Sequence, residues 1–149
     1  RGVYNMKRKE EKIYGEKMSK DYPIEIIKNA DNSTVRKFYQ EAKIYWHATG
    51  FEENLVKRPE RAEHFGISTV EAMGAGAVPV VINAGGQPEI VDDGENGFLW
   101  NTLEELKERT LFLVHNRREW ERLSKSAQKK AKVFSKERFC QKIYELLEA

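Results

Sequence analysis

What this sequence has little of narrows its class. A single cysteine, Cys140, in 149 residues rules out a disulfide framework within the chain and fits a reducing compartment. No apolar run approaches the ~20 residues that a membrane helix needs, and no signal peptide is visible. Excess charge of one sign is missing too. The 26 basic and 24 acidic residues leave a net charge of +2 and are interspersed, so there is no electrostatic footprint for nucleic acid. Most of these charges sit on helical stretches, where they read as solvated faces. The chain also lacks an initial methionine and opens on Arg1-Gly2-Val3. We therefore expect a piece of a longer protein.

What is present suffices for one domain with a real core over residues 1–149: 40% of residues are hydrophobic and 11% aromatic. Disorder is excluded on the same ground. Residues 6–20 are rich in helix formers. Pro23 ends that helix, and 24–28 (IEIIK) reads as a strand. Asp31-Asn32-Ser33 is a cap cluster for a helix over 34–42. The aromatic run 43–49 (KIYWHAT) reads as a buried strand. Residues 50–62, with Gly50 and Pro59, read as a loop above the sheet. A helix over 67–75 precedes a buried strand over 77–83, whose unbroken apolar character suits a parallel sheet. Pro88 suits the first position of a short helix, and Asn96-Gly97 a tight turn before Phe98-Leu99-Trp100. The last third is helical: one helix capped by Thr102, one over 118–132, and one capped by Ser135. Strands alternating with helices predict an α/β fold, a Rossmann-like parallel sheet flanked by helices with a helical C-terminus. The three tryptophans, Trp46, Trp100 and Trp120, are expected in packing.

The stretch Glu63-His64-Phe65-Gly66-Ile67-Ser68-Thr69-Val70-Glu71 admits two readings. Ser68 and Glu71 fit a capping box, in which Glu71 only reaches back to the backbone at Ser68. Phe65 then fills core and Gly66 shapes a turn. The other reading is a ligand site. A helix start offers free N–H groups and a positive dipole end, which favour a diphosphate. Gly66 permits close approach, Ser68 and Thr69 add hydroxyl donors, and Glu63 and Glu71 accept from sugar and ribose hydroxyls. In a parallel sheet such a loop lies at the carboxyl edge, where ligands bind.

His47, at the end of a strand, either packs as a satisfied buried histidine or lines the site. His47, His64 and Glu63 lack zinc spacing, so no metal ligands are expected. His115 reads as surface. Gly74-Ala75-Gly76 ends a helix and precedes a strand, the reverse of a dinucleotide fingerprint. Lys57, Arg58 and Arg61 read as a solvated loop face. No nucleophile elbow occurs.

The series Glu63-x7-Glu71, Ala72-Met73, Gly74-Ala75-Gly76, Val78-Pro79-Val80-Val81, Gly85-Gly86, Glu89-Ile90-Val91, Gly94 and Asn96-Gly97-Phe98-Leu99 resembles the retaining group-1 glycosyltransferases of the GT-B fold. The resemblance covers about residues 23–115. The variant YWHATGF…EHFGIS is most similar to mannosyltransferases that extend lipid-linked oligosaccharides. It implies the C-terminal, nucleotide-sugar-binding half of a two-domain enzyme, with its own N-terminal domain and opening strands outside the chain. It implies a hexose donor (GDP-mannose first, a UDP-hexose second), a glycan or lipid-linked acceptor, and no obligatory metal or other cofactor. Glu63 matches the catalytic-site glutamate beside the donor hexose. Phe65, Gly66 and Ile67 match the turn that meets sugar and diphosphate, and Ser68 and Thr69 match phosphate-contacting positions. Glu71 matches the ribose-binding glutamate, while Lys28 and Asn29 match the edge that brackets the base. The Gly-Arg turn and Lys that usually neutralise the diphosphate have no counterpart here. A nucleotide-sugar 2-epimerase of similar fold and a non-catalytic binding module are the alternatives. The expected location is cytoplasmic, with peripheral association at the cytoplasmic membrane face as a variant.

Overall fold

A computed structural model describes residues 19–148. The helix expected over 6–20 lies outside them except for its last two positions. The chain divides between Phe38 and Tyr39 into two compact units.

In the first unit, residues 24–28 do not form the expected strand. A strand exists only through its ladder, and none of the described residues pairs with this segment. Directly after it the chain turns at Asn29, which takes a left-handed φ of 50°. The cap cluster behaves as expected. Asp31 accepts hydrogen bonds from the Thr34 amide at 2.8 Å and the Ser33 hydroxyl at 2.9 Å. It thereby starts α1 (Asn32–Glu41), within which the boundary between the units falls.

The second unit is built on a parallel sheet in the order β1 (Ile44–His47), β2 (Val78–Ile82), β3 (Phe98–Trp100). Ile44 pairs with Val78 and His47 with Val81, and Val80 pairs with Phe98. Every residue of β2 is buried, which explains its unbroken apolar sequence. Pro79 is tolerated in this central strand for a specific reason. The Val78 N–H bonds to Lys43 O at 2.9 Å, so the nitrogen of Pro79 faces β3, whose ladder begins one residue later. β1 departs from the buried strand expected: it is an edge of the described sheet, and Trp46 is 59% exposed. Trp46 thus leaves the core and donates its indole N–H to Thr110 at 3.0 Å. Trp100 is fully buried and Trp120 half-buried.

Helices α2 (Ile67–Ala75), α3 (Gln87–Ile90), α4 (Leu103–His115), α5 (Arg117–Ala131) and α6 (Lys136–Leu147) complete the unit. The core forms two clusters. Val78, Val80, Ile82, Phe98 and Trp100 pack with Leu113 and Leu123. Val81 of the other face packs with Met73, Ile90, Val91, Ala127 and Ala131. Gly76 ends α2 at φ 99°, where its N–H returns to Ala72 and Met73 carbonyls, as a left-handed C-terminal glycine should. α6 begins at its Ser135 cap and buries no residue.

Candidate functional site

α2 starts at the carboxyl edge of the sheet, after the loop that leaves β1 and a 3₁₀ turn at Pro59–Arg61. Its N-cap is Gly66, in the left-handed region at φ 96°, ψ 47°, with no side chain capping it. This overturns the capping-box reading of Ser68 and Glu71. Ser68 lies inside the helix, and the exposed Glu71 makes no hydrogen bond among the described residues. The Thr69 and Val70 amides bond to Gly66 O at 3.0 and 3.1 Å. The Ile67 and Ser68 amides donate to nothing among the described residues, and Ile67 is 66% exposed. The helix start is therefore open and carries unspent donors.

The turn before it is held from several sides. Glu63 Oε1 accepts the Gly66 N–H at 3.2 Å, and Glu63 O accepts the Gly86 N–H at 2.8 Å. A Cβ on Gly85 would stand 2.2 Å from Glu63 O, and one on Gly86 2.3 Å from His64 O. The paired glycines are thus a requirement of close backbone approach. Gly66 uses its freedom inward as well: a Cβ there would meet Gln87 Nε2 at 3.0 Å and Ile90 Cδ1 at 3.1 Å.

The predicted site residues sort accordingly. Glu63, Gly66, Ile67 and Ser68 lie together at the helix start. Phe65 is 45% exposed and meets Phe134 edge-on at 5.7 Å, so it does not fill core. Thr69 is a correction: it is fully buried and donates its hydroxyl to Gln87 Oε1 at 3.0 Å, so that hydroxyl is not offered above the helix. His47 joins the site. Its side chain is 9% exposed, and Nε2 lies 3.5 Å from Glu63 Oε2. Burial pulls its pKa down, with the Glu63 carboxylate opposing, so it is neutral at pH 7. Lys28 and Asn29 belong to the other unit. Arg61 pairs with Glu53, while Lys57 and Arg58 are exposed. No three His, Cys, Asp or Glu side chains gather to hold a metal among the described residues.

Sequence reasoning missed two residues. Tyr45 shares a strand face with His47, two positions away, and its hydroxyl donates to Ser68 Oγ at 2.8 Å. Burial raises its pKa most, the Ser68 and Thr69 hydroxyls lower it, and the Glu63 and Glu71 carboxylates raise it further. Glu71 also acts on Tyr39, whose pKa is pushed up, chiefly by burial, to about 12. The period-two alternation of a strand was the signal for Tyr45. Gln87, fully buried beneath the Gly66 turn, could not be read from its place in a turn-rich stretch. Its Nε2 and His47 Nδ1 are buried without hydrogen-bond partners among the described residues, and both side chains flank the same turn. Beside Glu63 an open hollow of about 330 Å³ is lined by Leu55, Pro59, Ala62, His64, Gly85, Gly86 and Glu89.

A family model described as "Glycosyl transferases group 1" matches residues 7–130. Over 78 residues the sequence is 37% identical to a GDP-Man:Man(3)GlcNAc(2)-PP-Dol alpha-1,2-mannosyltransferase of Dictyostelium discoideum, a match spanning 52% of this chain and 15% of that protein. Over 80 residues it is 40% identical to an uncharacterized glycosyltransferase of Methanocaldococcus jannaschii, spanning 52% and 22%. The chain thus spans less than a quarter of each relative. Among solved structures, sucrose-phosphate synthase of Thermosynechococcus elongatus superposes with a TM-score of 0.75 at 17% identity, over 98% of this chain and 37% of that one. Anabaena HepE, crystallised with UDP-glucose, gives 0.71 at 21% identity over 92% and 36%. These likenesses show the fold, a Rossmann-like parallel sheet flanked by helices as in GT-B.

Proposed function

The chain belongs to the group 1 glycosyl transferases, and from that premise we propose that it is the donor-binding domain of a retaining hexosyltransferase. The donor is a nucleoside diphosphate hexose, GDP-mannose before a UDP-hexose, and the acceptor a glycan or lipid-linked glycan bound with the help of an N-terminal domain. The observation that carries this reading is the open start of α2. Among the described residues the Ile67 and Ser68 amides donate to nothing, and they stand at the positive end of the helix dipole, between Glu63 and Glu71 along the chain. In the reaction the bond from the anomeric carbon to the diphosphate breaks through an oxocarbenium-like state, and negative charge collects on the leaving diphosphate. Preorganised amides at that point act in the transition state more than in the ground state. The Glu63 carboxylate, already oriented by Gly66 and facing His47, takes hydrogen bonds from the hexose. Glu71, whose carboxylate makes no hydrogen bond among the described residues, takes the ribose diol. The names of the Dictyostelium relative and of the HepE complex support a sugar nucleotide as the donor class.

The test is calorimetric titration of the full-length protein with GDP-mannose, UDP-glucose, GDP and UDP, followed by analysis of the product formed with the donor that binds. We expect micromolar-range binding of one nucleotide series and a new glycoside with the donor's anomeric configuration. Absence of binding across the panel, or an epimerised sugar nucleotide as the sole product, overturns the reading.

A further inference from the structure

We propose that Tyr45 is a positioning residue for the diphosphate: it fixes the Ser68 hydroxyl so that the serine proton points out of the helix start, beside the open Ile67 and Ser68 amides. The inference rests on the reading of that helix start as the diphosphate site. A serine hydroxyl carries one proton and two lone pairs and rotates freely unless a partner holds it. Here the Tyr45 hydroxyl donates to Ser68 Oγ at 2.8 Å and occupies one lone pair. The serine proton has no acceptor among the described residues, so it is left for a ligand. Accepting one hydrogen bond also makes a hydroxyl a better donor of the next.

The surroundings keep Tyr45 in the donating role. Its ring lies 6.0 Å from that of Tyr39, edge-on, and 6.5 Å from that of His47, stacked, which fixes the phenol in place. Burial first, and then the Glu63 and Glu71 carboxylates, disfavour a phenolate against the opposing Ser68 and Thr69 hydroxyls, so the phenol's pKa stands above its ordinary value. Thr69, the neighbouring hydroxyl, is fully buried and donates to the Gln87 side-chain oxygen, so its proton is not offered to a ligand. Ser68 is therefore the single side-chain hydroxyl at the start of α2 that is both held and unspent. Preorganising it lowers the ordering cost of gripping the anion.

A double-mutant cycle on nucleotide affinity tests this in the full-length protein, using GDP or UDP, whichever wild type binds. Tyr45→Phe keeps the ring contacts. It is expected to weaken the diphosphate about fivefold, the size of one neutral hydrogen bond. Ser68→Ala is expected to weaken it about tenfold on the same scale. The pair is expected to be no weaker than Ser68→Ala alone, because Tyr45 acts only through Ser68. A merely structural Tyr45 would instead lower the unfolding midpoint, and its loss of affinity would multiply with that of Ser68→Ala. That multiplication, or affinity within twofold of wild type in Tyr45→Phe, overturns the proposal while leaving the donor site standing. If wild type itself binds neither nucleotide, the donor site falls and this inference falls with it. Should Tyr45→Phe fail to fold, the Ser68→Ala arm decides: affinity unchanged there sinks the proposal, and affinity lost there supports it.

Discussion

Helices α2 and α4 both follow a strand of the same parallel sheet, yet they begin in opposite ways. α4 is capped by its own residues. Thr102 accepts the Glu105 amide at 3.2 Å, and the Glu105 carboxylate accepts the Asn101 amide at 2.7 Å. Every partner lies within five consecutive residues. α2 begins on a left-handed glycine with no side-chain cap and leaves the Ile67 and Ser68 amides open. What holds it comes from far along the chain: the Gly86 amide on Glu63 O, the Thr69 hydroxyl on the Gln87 side-chain oxygen, and the Tyr45 hydroxyl on Ser68. The Leu103 and Glu104 amides of α4 likewise donate to nothing among the described residues, so the two starts differ in what holds them, not in how many amides are open. Without a side-chain cap α2 forgoes the ~1 kcal/mol that one contributes.

The largest effect should come from removing the brace. A Cβ on Gly86 would stand 2.3 Å from the His64 carbonyl oxygen and 3.1 Å from Phe65 Cα, both backbone atoms with nowhere to go. Gly86→Val is expected to cost about 3–5 kcal/mol, as severe backbone overpacking does, and to abolish nucleotide binding. Urea unfolding of the variant reads the first and calorimetry the second. A midpoint equal to wild type would mean that the turn is not held from this side, and the contrast with α4 would vanish.

Glu71 separates the two helix starts more sharply. Its carboxylate has no hydrogen bond to lose among the described residues, so Glu71→Ala should leave the unfolding midpoint where it is. Nucleotide affinity should nevertheless fall about tenfold, the ~1.4 kcal/mol of a charged acceptor facing a ribose diol. A capping glutamate would behave in the reverse manner, losing stability and keeping affinity.

This separation also marks where the sequence was readable. The Thr102 and Ser135 caps, the extent of α2, and the buried β2 were legible because each is a local pattern: a cap residue beside its helix, or an unbroken apolar run. Ser68 and Glu71 have the spacing of a capping box, but tertiary contacts from Gln87 and Tyr45 set the helix start two residues earlier, at Gly66. Spacing alone could not show that Thr69 turns inward, because the amide that receives it sits 18 residues away. Residues 24–28 look like a strand by composition, yet ladder pairing is a property of two segments. Trp46 was misplaced for a related reason: an aromatic strand residue packs only if something covers its face, and β1 is an edge among the described strands.

Removing the local cap gives the control. Thr102→Ala should lower stability by ~1 kcal/mol, as loss of a threonine cap does, and leave nucleotide affinity untouched. Chemical denaturation and calorimetry on the same preparation check both halves. A loss of affinity would show that the two starts are coupled through the sheet and are not independent.

The smallest expected difference lies in the pH at which each helix start loosens. Burial holds the pKa of His47 below its ordinary 6.5, so the folded state takes up its proton less readily than the unfolded chain does. Stability is then complete above about pH 6.5 and is lost as pH falls through the lowered folded value. At α4 the Glu105 carboxyl is held below its ordinary 4.5, first by the Asn101 amide, so its contribution is present above that value and disappears only as pH falls further. Unfolding midpoints measured from pH 7.5 to 3.5 should therefore show the His47→Gln curve flatter than wild type as pH falls below about 6.5, and the Glu105→Gln curve flatter only below about 4.5. If His47→Gln follows the wild-type slope throughout, the histidine is solvated. The burial of its imidazole beside Glu63 would then have to be given up.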